Sequence, residues 1–306
     1  MARSDRDLQE SLDGLETEAW SADGADLDLR STDELVELMN AQDQTVPAAV
    51  AAAAPAIAAA IDEIAARLQG GGRLIYVGAG TSGRLAELDA AECEATFSAR
   101  PGQVTALIAG GAGGSPLEQE AAEDDAAAGE RELEALGVTA VDAVVAISAS
   151  GRTPYALGAL AAAASAGALT VCLVSVRDSE LARLARHEIA VPVGAEILTG
   201  STRLKAGTSQ KLVLNMISTI SMIRIGKTFG NLMVDVYPAN AKLEARVRRI
   251  VSLATGAPQE RVDEALRAAD GEPKVAIVSL LAGVDAEAAR ARLAGADGVI
   301  RRALDQ

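Results

Sequence analysis

Short apolar runs alternate with longer stretches of helical composition along most of this chain. After an alanine-rich stretch and the glycines at 70–72, a first run covers residues 73–77, and later runs read VTALIAG, DAVVAIS and ALTVCLVSV. Strands with so few polar breaks are typical of a parallel sheet that helices cover on both faces. The pattern therefore predicts an α/β fold with a doubly wound parallel sheet, which binds ligands at the carboxyl ends of its strands.

Helical patterns flank and connect the predicted strands. Ser31 and Thr32 before DELVELMNAQ predict a helix cap and a short helix, and an acidic stretch predicts one helix over residues 118–136. A long helix is predicted from about residue 205 to 225, and its apolar stripe suits burial against the sheet or against a second subunit. That stripe comprises Leu212, Met216, Ile220 and Ile223.

Shifts in composition divide the chain into three parts. Residues 1–45 are polar and predict an N-terminal helical arm, residues 46–240 hold the predicted sheet, and residues 241–306 hold short helical pieces. The last part predicts a small helical bundle that is marginally stable alone and docks on the main domain.

Composition argues against several classes of partner. The net charge is −15, and no basic cluster is interleaved with aromatic residues, so we expect no nucleic-acid partner. Cys93 and Cys172 share no motif spacing, and the scattered carboxylates lack a ligand spacing, so neither a disulfide nor a metal site is predicted. The sequence has no apolar signal core and no run long enough to span a membrane, which predicts a cytoplasmic protein without a membrane partner.

Two predicted strands end in similar loops, YVGAGTSGR at residues 76–84 and AISASGRTP at residues 146–154. Both place glycine and hydroxyl side chains where a helix begins, and the unpaired N–H groups of a helix start favour an anion. The candidate contacts are Thr81, Ser82, Ser148, Ser150, Gly151 and Thr153.

A dinucleotide site is the natural alternative for the first loop. Residues 78–83 fit G-x-G-x-x-G, which is a weak signal alone. About twenty residues on, where a carboxylate should hold a ribose, the sequence reads ARPGQ, and no Gly-Lys-Ser/Thr of a Walker loop follows. Two hydroxyl-rich loops on successive strands therefore favour a sugar phosphate.

Several segments resemble the sugar isomerase (SIS) domain family, and more closely the N-acetylmuramic acid 6-phosphate etherases. They run in order over about residues 46–236 and read GAGTSGRL, AEC, LIAGG, EAAEDD, SASGRTPY, GAEILTGSTRLKAGTSQKLVLNM and GKTFGNLMVDV. Residues 194–211 are similar to a signature that these etherases share with glucokinase regulatory proteins. The resemblance implies a flavodoxin-like, three-layer SIS domain, a homodimer, and a C-terminal module similar to ubiquitin-associated domains.

The resemblance also implies a reaction, namely removal of a D-lactyl ether from C3 of a phosphorylated amino sugar in cell-wall recycling, without a cofactor. Glu92 would protonate the departing lactate and later activate water, and Glu123 would be the other acid/base group. Ala91 departs from the family, in which serine is expected beside this glutamate. Because Glu92 lies among alanines, partial burial predicts that its pKa is raised.

By the same resemblance, Ser148, Ser150 and Thr153 bind the phosphate, and Ser82 contributes from the first loop. A straight helix from Ser82 to Glu92 advances about 15 Å at ~1.5 Å per residue, which is more than one small sugar spans. Glu92 therefore meets substrate held by another loop, after a helix break, or across a dimer interface. The sequence leaves open which subunit supplies each glutamate.

A third polar segment adds candidate substrate contacts near the start of the long helix. We expect Glu196 to bind sugar hydroxyls and Ser201, Arg203 and Lys205 to form a further polar wall. An ion pair between Glu196 and Arg203 is the structural alternative.

Two other functions remain open on this fold. A phosphosugar isomerase would return the C2 proton at C1 and release no lactate. A non-catalytic phosphosugar sensor would resemble the glucokinase regulators, which have two SIS domains in tandem, whereas each loop occurs once here. Retention of both Glu92 and Glu123 favours an enzyme.

Overall fold

The computed structural model describes residues 16–111, 113–236 and 241–306, which fall into two compact units. The first unit comprises the residues up to Ala90 together with Thr105–Ile217, and the second comprises Ala91–Val104 together with Ser218–Gln306. The linear domain limits at residues 46 and 241 stay predictions. Residues 1–15 of the predicted arm lie outside the described residues.

Among the described residues, three α-helices precede the sheet. Helix α1 (Thr32–Asp43) begins at the predicted cap, where the Ser31 hydroxyl accepts the N–H of Glu34 and the Glu34 carboxylate accepts the N–H of Ser31. Helices α2 (Val46–Ala52) and α3 (Ala54–Gln69) follow, each with proline in its first turn, and α3 ends at the predicted glycines. Three short 3-10 helices lie before α1: Glu16–Glu18, Ala22–Gly24 and Leu27–Leu29.

A five-stranded sheet has the order β2-β1-β3-β4-β5. Its strands are β1 (Leu74–Gly78), β2 (Val104–Ile108), β3 (Ala143–Ser148), β4 (Leu169–Val174) and β5 (His187–Ala190). β1 pairs in parallel with β3, β3 with β4, and β4 with β5, and every residue of β1, β3 and β4 is buried. The predicted parallel α/β fold is confirmed, and the strand order is that of flavodoxin-like sheets.

Helices connect successive strands of the sheet, and one more helix follows β5. They are α4 (Gly80–Phe97), α5 (Pro116–Glu123), α6 (Ala126–Ala135), α7 (Pro154–Ser165), α8 (Glu180–Leu184) and α9 (Lys205–Arg224). Tyr155 and Leu160 of α7 share an apolar core with Ile75 and Val77, which are alternate residues of β1. Alternate residues of β1 point to one face of the sheet, and the buried side chains of α7 pack in the same apolar layer.

The acidic stretch that was predicted as one helix forms two. α5 ends at Glu123, and α6 begins at Ala126 because the Asp125 carboxylate accepts the N–H of Ala128 and caps a new helix. The break places Glu123 at a helix end rather than within a continuous acidic face.

Helix α9 forms as predicted, but its predicted apolar stripe is not buried against the sheet. Met216 is 37% exposed and Ile223 45%, whereas Val213, Leu214 and Ile217 are buried. The helix is apolar on two neighbouring faces, so the residue pattern alone did not select the one that packs. Burial of the predicted stripe against a second subunit stays a prediction.

Five short helices form most of the second unit, after a hairpin of β6 (Thr228–Phe229) and β7 (Leu232–Met233). They are α10 (Ala241–Thr255), α11 (Gln259–Ala268), α12 (Pro273–Ala282), α13 (Ala286–Gly295) and α14 (Ile300–Leu304). Val262 of α11, Val275 of α12 and Leu293 of α13 belong to one apolar core. This unit therefore has a core of its own, and its docking on the main domain stays a prediction.

No single helix in the described ranges is long and apolar enough to cross a membrane, although the helices between Thr32 and Gln69 qualify as a pair bent by 59°. Among the same residues, no group of three or more His, Cys, Asp or Glu side chains is placed to hold a metal ion. Cys93 and Cys172 are buried, and burial raises the pKa of Cys172 to about 12. Both thiols pack as small apolar side chains.

Candidate active site

The two hydroxyl-rich loops leave the sheet side by side. β1 and β3 are neighbours, with Gly78 opposite Ile147, so the loops that follow them begin at the same edge. In a sheet of this order, the ligand crevice opens between these two strands at their carboxyl ends. The fold therefore places both loops where a ligand is expected.

A chain of hydrogen bonds runs through the second loop to Glu123. The Gly151 N–H donates to Ser148 Oγ at 3.0 Å, and Ser148 Oγ lies 2.9 Å from Thr153 Oγ1. Thr153 Oγ1 in turn donates to Glu123 Oε1 at 3.1 Å. Gly151 has a φ of +67°, and a Cβ there would lie 2.4 Å from the side chain of Ser179. Glycine is therefore required for this loop conformation.

Ser150 completes the hydroxyl cluster of the second loop. Its Oγ lies 3.4 Å from Ser148 Oγ and accepts the N–H of Arg152 at 3.3 Å. Helix α7 begins a few residues later, and the unpaired N–H groups of its first turn add partial positive charge. Hydroxyls that bond to one another can turn toward an anion by rotation about Cβ–Oγ, so this loop suits a phosphate.

Glu123 is half-buried, and the fold changes its acidity. Burial raises the pKa of this carboxyl, the Thr153 hydrogen bond opposes the change, and the charges of Asp124 and Glu120 add to it, with a raised pKa as the net result. Partial burial was predicted for Glu92 instead, and that prediction was wrong because Glu92 is exposed on α4.

Helix α4 constrains how Glu92 can reach a substrate. The helix runs without interruption from Gly80 to Phe97, which excludes the helix break that the sequence left open. Contact with substrate held by another loop, or across a dimer interface, stays a prediction.

The first loop contacts helix α9. Thr81 and Ser82 lie in the first turn of α4, and the Ser82 hydroxyl donates to Gln210 Oε1 at 3.0 Å. A Cβ added to Gly207 would lie 3.5 Å from Thr81 Cγ2, so the two helix starts approach closely. Gln210 was missed by sequence reasoning, although it lies inside the segment that carries the resemblance.

Glu196 and Lys205 make internal contacts. The buried Glu196 carboxylate accepts the backbone N–H of Lys205 at 3.1 Å and of Ala206 at 2.9 Å, and so fixes the start of α9. Lys205 Nζ donates to Gln42 Oε1 at 2.8 Å. Ser201 is half-buried and Arg203 is exposed. Substrate contact by these four candidates stays a prediction, and Glu196 caps a helix rather than pairing with Arg203.

A buried polar cluster holds α4 against α9 and β1. The Tyr76 hydroxyl donates to Asp89 Oδ2 at 3.0 Å, and Lys211 Nζ lies 3.6 Å from Asp89 Oδ1. Tyr76 and Asp89 are both buried. Sequence reasoning gave no signal for this cluster, because its members come from three separate elements.

Two family models match the chain. The glucokinase regulatory protein N-terminal SIS domain matches residues 56–164, and the SIS domain matches residues 126–220. Together they cover the sheet, both loops and Glu123.

Relatives match over nearly the whole chain. The N-acetylmuramic acid 6-phosphate etherase of Streptomyces coelicolor is 57% identical over 298 residues, covering 97% of this chain and 96% of that protein. The chain belongs to the N-acetylmuramic acid 6-phosphate etherase family. The etherase of Rubrobacter xylanophilus is 56% identical, covering 98% of this chain and 99% of that protein. Among solved structures, a phosphoheptose isomerase from Francisella tularensis has a TM-score of 0.48 and 19% identity, over 61% of this chain and 98% of that one.

Membership of the etherase family confirms the family that the motifs indicated. The named relatives extend over both the sheet and the C-terminal helices, so the family covers both compact units. It also gives the second loop a chemical context, because a hydroxyl-rich loop next to a carboxylate suits acid/base chemistry on a phosphorylated sugar.

Proposed function

We propose that this etherase family member converts N-acetylmuramic acid 6-phosphate and water into N-acetylglucosamine 6-phosphate and D-lactate, in cytoplasmic recycling of cell-wall amino sugars. The proposal rests above all on the contact between Thr153 and Glu123, which joins a hydroxyl-rich loop at the ligand edge to a carboxylate with a raised pKa. The relatives named for this activity, which match nearly full length, support the same substrate.

The reaction needs a base and an acid. In the open-chain sugar, the C1 aldehyde acidifies the C2 proton, and a base removes it. The C3–O bond then breaks, its electron pair leaves with the lactate oxygen, and an acid protonates that oxygen. Water then adds across the double bond of the unsaturated aldehyde, with its oxygen on C3 and a proton from solvent returned to C2. Each positioned proton-transfer group is typically worth about 10²–10⁴-fold in rate.

We assign Glu123 as the base for the C2 proton. A raised pKa makes its carboxylate a stronger base, and its position beside the second loop brings it near a sugar whose phosphate binds Ser148, Ser150 and Thr153. Glu92 is the proposed acid for lactate and the base for water. A homodimer is the proposed assembly, and it allows Glu92 to act across the subunit interface.

Lactate release in ¹⁸O-water tests the overall reaction. We expect D-lactate, and ¹⁸O on C3 of N-acetylglucosamine 6-phosphate, from purified protein and N-acetylmuramic acid 6-phosphate. Isomerised sugar without lactate would indicate the isomerase alternative, and sugar-phosphate binding without turnover would indicate a sensor.

Deuterium exchange at C2 separates the two glutamates. In D₂O, Glu123→Gln should abolish exchange at C2 of N-acetylglucosamine 6-phosphate, whereas Glu92→Gln should keep this exchange and block lactate release by about 10²–10⁴-fold. Glu120→Gln and Glu94→Gln, at exposed positions near the two candidates, are the matched controls. Loss of C2 exchange only in Glu92→Gln would reverse the assignment.

A further inference from the structure

Among the described residues, only one of the two polar atoms of the buried Gln210 amide has a hydrogen-bond partner. The residue is 2% exposed, its Oε1 accepts the Ser82 hydroxyl, and its Nε2 has no hydrogen-bond partner among the described residues. A buried donor left unpaired destabilises the folded protein. An apolar side chain of the same length would avoid this cost, so the amide needs a reason other than stability.

The start of helix α9 is fixed against the first loop. The Glu196 carboxylate binds the N–H groups of Lys205 and Ala206 one turn before Gln210, and Gly207 approaches Thr81 closely. Neither contact uses the Ser82 side chain. The Ser82–Gln210 hydrogen bond therefore joins two segments, the first loop and the start of α9, whose backbones other contacts already position.

We propose that Gln210 is a positioning residue that holds the single proton of Ser82, so that Ser82 meets the substrate as a hydrogen-bond acceptor. A serine hydroxyl has one proton and two lone pairs. With its proton on Gln210 Oε1, Ser82 accepts from a donor on the sugar, either a ring hydroxyl or the acetamido N–H. The inference rests on the proposed function and changes the expected role of Ser82, which then does not donate to the phosphate.

The two loops differ in how readily their hydroxyl groups can turn away from their present hydrogen-bond partners. If the Ser82 hydroxyl donated to a phosphate instead, Gln210 Oε1 would lose its donor, and the buried amide would then be unpaired at both ends. Ser148 and Ser150 bond to neighbouring hydroxyls and turn without leaving a buried amide unpaired. The second loop therefore takes the phosphate, and the first loop takes the sugar.

Binding measurements on Gln210→Met test this division, because methionine keeps the length of the side chain without its acceptor. Calorimetric titration of the full chain would use three probes: inorganic phosphate, glucose 6-phosphate and N-acetylglucosamine 6-phosphate. We expect sugar-phosphate affinity to fall about 3- to 10-fold, as for one hydrogen bond worth about 0.5–1.5 kcal/mol, with phosphate affinity within about twofold of wild type. Thermal stability should be equal to or above wild type, which a purely structural residue would not give.

Two further variants make the test specific. In a Ser82→Ala background, Gln210→Met should have no additional effect, because it acts through Ser82. Ser209→Ala is the control, since this neighbouring buried hydroxyl bonds to the carbonyl of Ala206 in its own helix. If Gln210→Met unfolds at a lower temperature than wild type, Gln210→Leu replaces it.

The outcomes separate the inference from the proposed function. Loss confined to N-acetylglucosamine 6-phosphate identifies the acetamido N–H as the donor, and equal loss for both sugar phosphates identifies a ring hydroxyl. Unchanged sugar affinity, or equal loss for inorganic phosphate, would overturn the role of Gln210. A wild-type protein that binds no sugar phosphate would instead overturn the proposed function.

Discussion

The Thr153 hydroxyl donates a 3.1 Å hydrogen bond to Glu123 Oε1 and so joins the residue before helix α7 to the last residue of helix α5. Burial raises the pKa of Glu123, and this hydrogen bond is the largest effect that lowers it. The same hydroxyl contacts Ser148 in the second loop. A ligand that binds in that loop would therefore affect the basicity of Glu123 through the Thr153 side chain.

Thr153→Val should raise the pKa of Glu123 further, because valine has no hydroxyl to stabilise the ionised carboxylate. If Glu123 acts as the base, the acidic limb of the kcat/KM profile moves to higher pH. Loss of the hydrogen bond between Thr153 and Glu123 should also reduce kcat/KM at neutral pH about 3- to 10-fold. The measurement is lactate release between pH 5 and 9.

Thr153→Ser is the matched control, because it keeps the hydroxyl and should keep the wild-type pH profile. An acidic limb that stays in place in Thr153→Val, despite normal folding, would mean that Glu123 is not the group that titrates.

Glu123→Gln should change how stability depends on pH. A carboxyl with a raised folded-state pKa binds its proton more tightly when folded, so stability falls as pH rises from the ordinary glutamate value of about 4.5 through the raised value. Glutamine does not titrate, so the variant should unfold at a higher temperature than wild type at pH 8. The difference should vanish below about pH 4.5.

Differential scanning calorimetry from pH 4 to 8 measures this difference. Glu120→Gln, at an exposed position on the same helix, controls for the loss of one negative charge. Parallel melting curves for Glu123→Gln and wild type over the whole range would contradict the raised pKa.

Local sequence predicted the elements and the loops well, because the properties that define them are local. Strands buried on both faces give unbroken apolar runs, and the first strand, predicted at residues 73–77, is Leu74–Gly78. The helix cap predicted at Ser31 forms, and its partner Glu34 lies only three residues away in the chain. Both phosphate-loop candidates follow strands, as their spacing predicted.

Burial and long-range partners were not predictable in the same way. Alanines surround Glu92 in sequence, yet the helix turns this residue to its exposed face, while Glu123 in an acidic run is half-buried. The partner of Ser82 lies 128 residues away on another helix. Such contacts depend on how helices pack, and no local pattern contains that information.

Gly151→Ala should disrupt the second loop. The residue has a φ of +67°, which costs an L-residue about 1–2 kcal/mol, and the new Cβ would meet Ser179 at 2.4 Å. We expect at least a tenfold loss of affinity for inorganic phosphate, measured by calorimetric titration. Gly137→Ala is the control, because its φ is +58° with open space around the new Cβ, so it tests backbone strain alone. Equal phosphate affinity in both variants would contradict a phosphate site in this loop.

Glu196→Ala should destabilise the first unit more than a substitution at an exposed position would. The carboxylate is fully buried and accepts two backbone N–H groups at the start of α9, so alanine leaves both donors buried and unpaired. We expect the free energy of unfolding to fall by about 2–4 kcal/mol, measured by urea denaturation. Glu196→Gln keeps one acceptor oxygen and should lose less stability.

Because the Glu196 cap fixes the start of α9, which carries Gln210, sugar-phosphate affinity should fall in parallel with stability across the two variants. Full stability combined with weakened sugar binding in Glu196→Ala would instead mean that Glu196 contacts the substrate, as the sequence predicted.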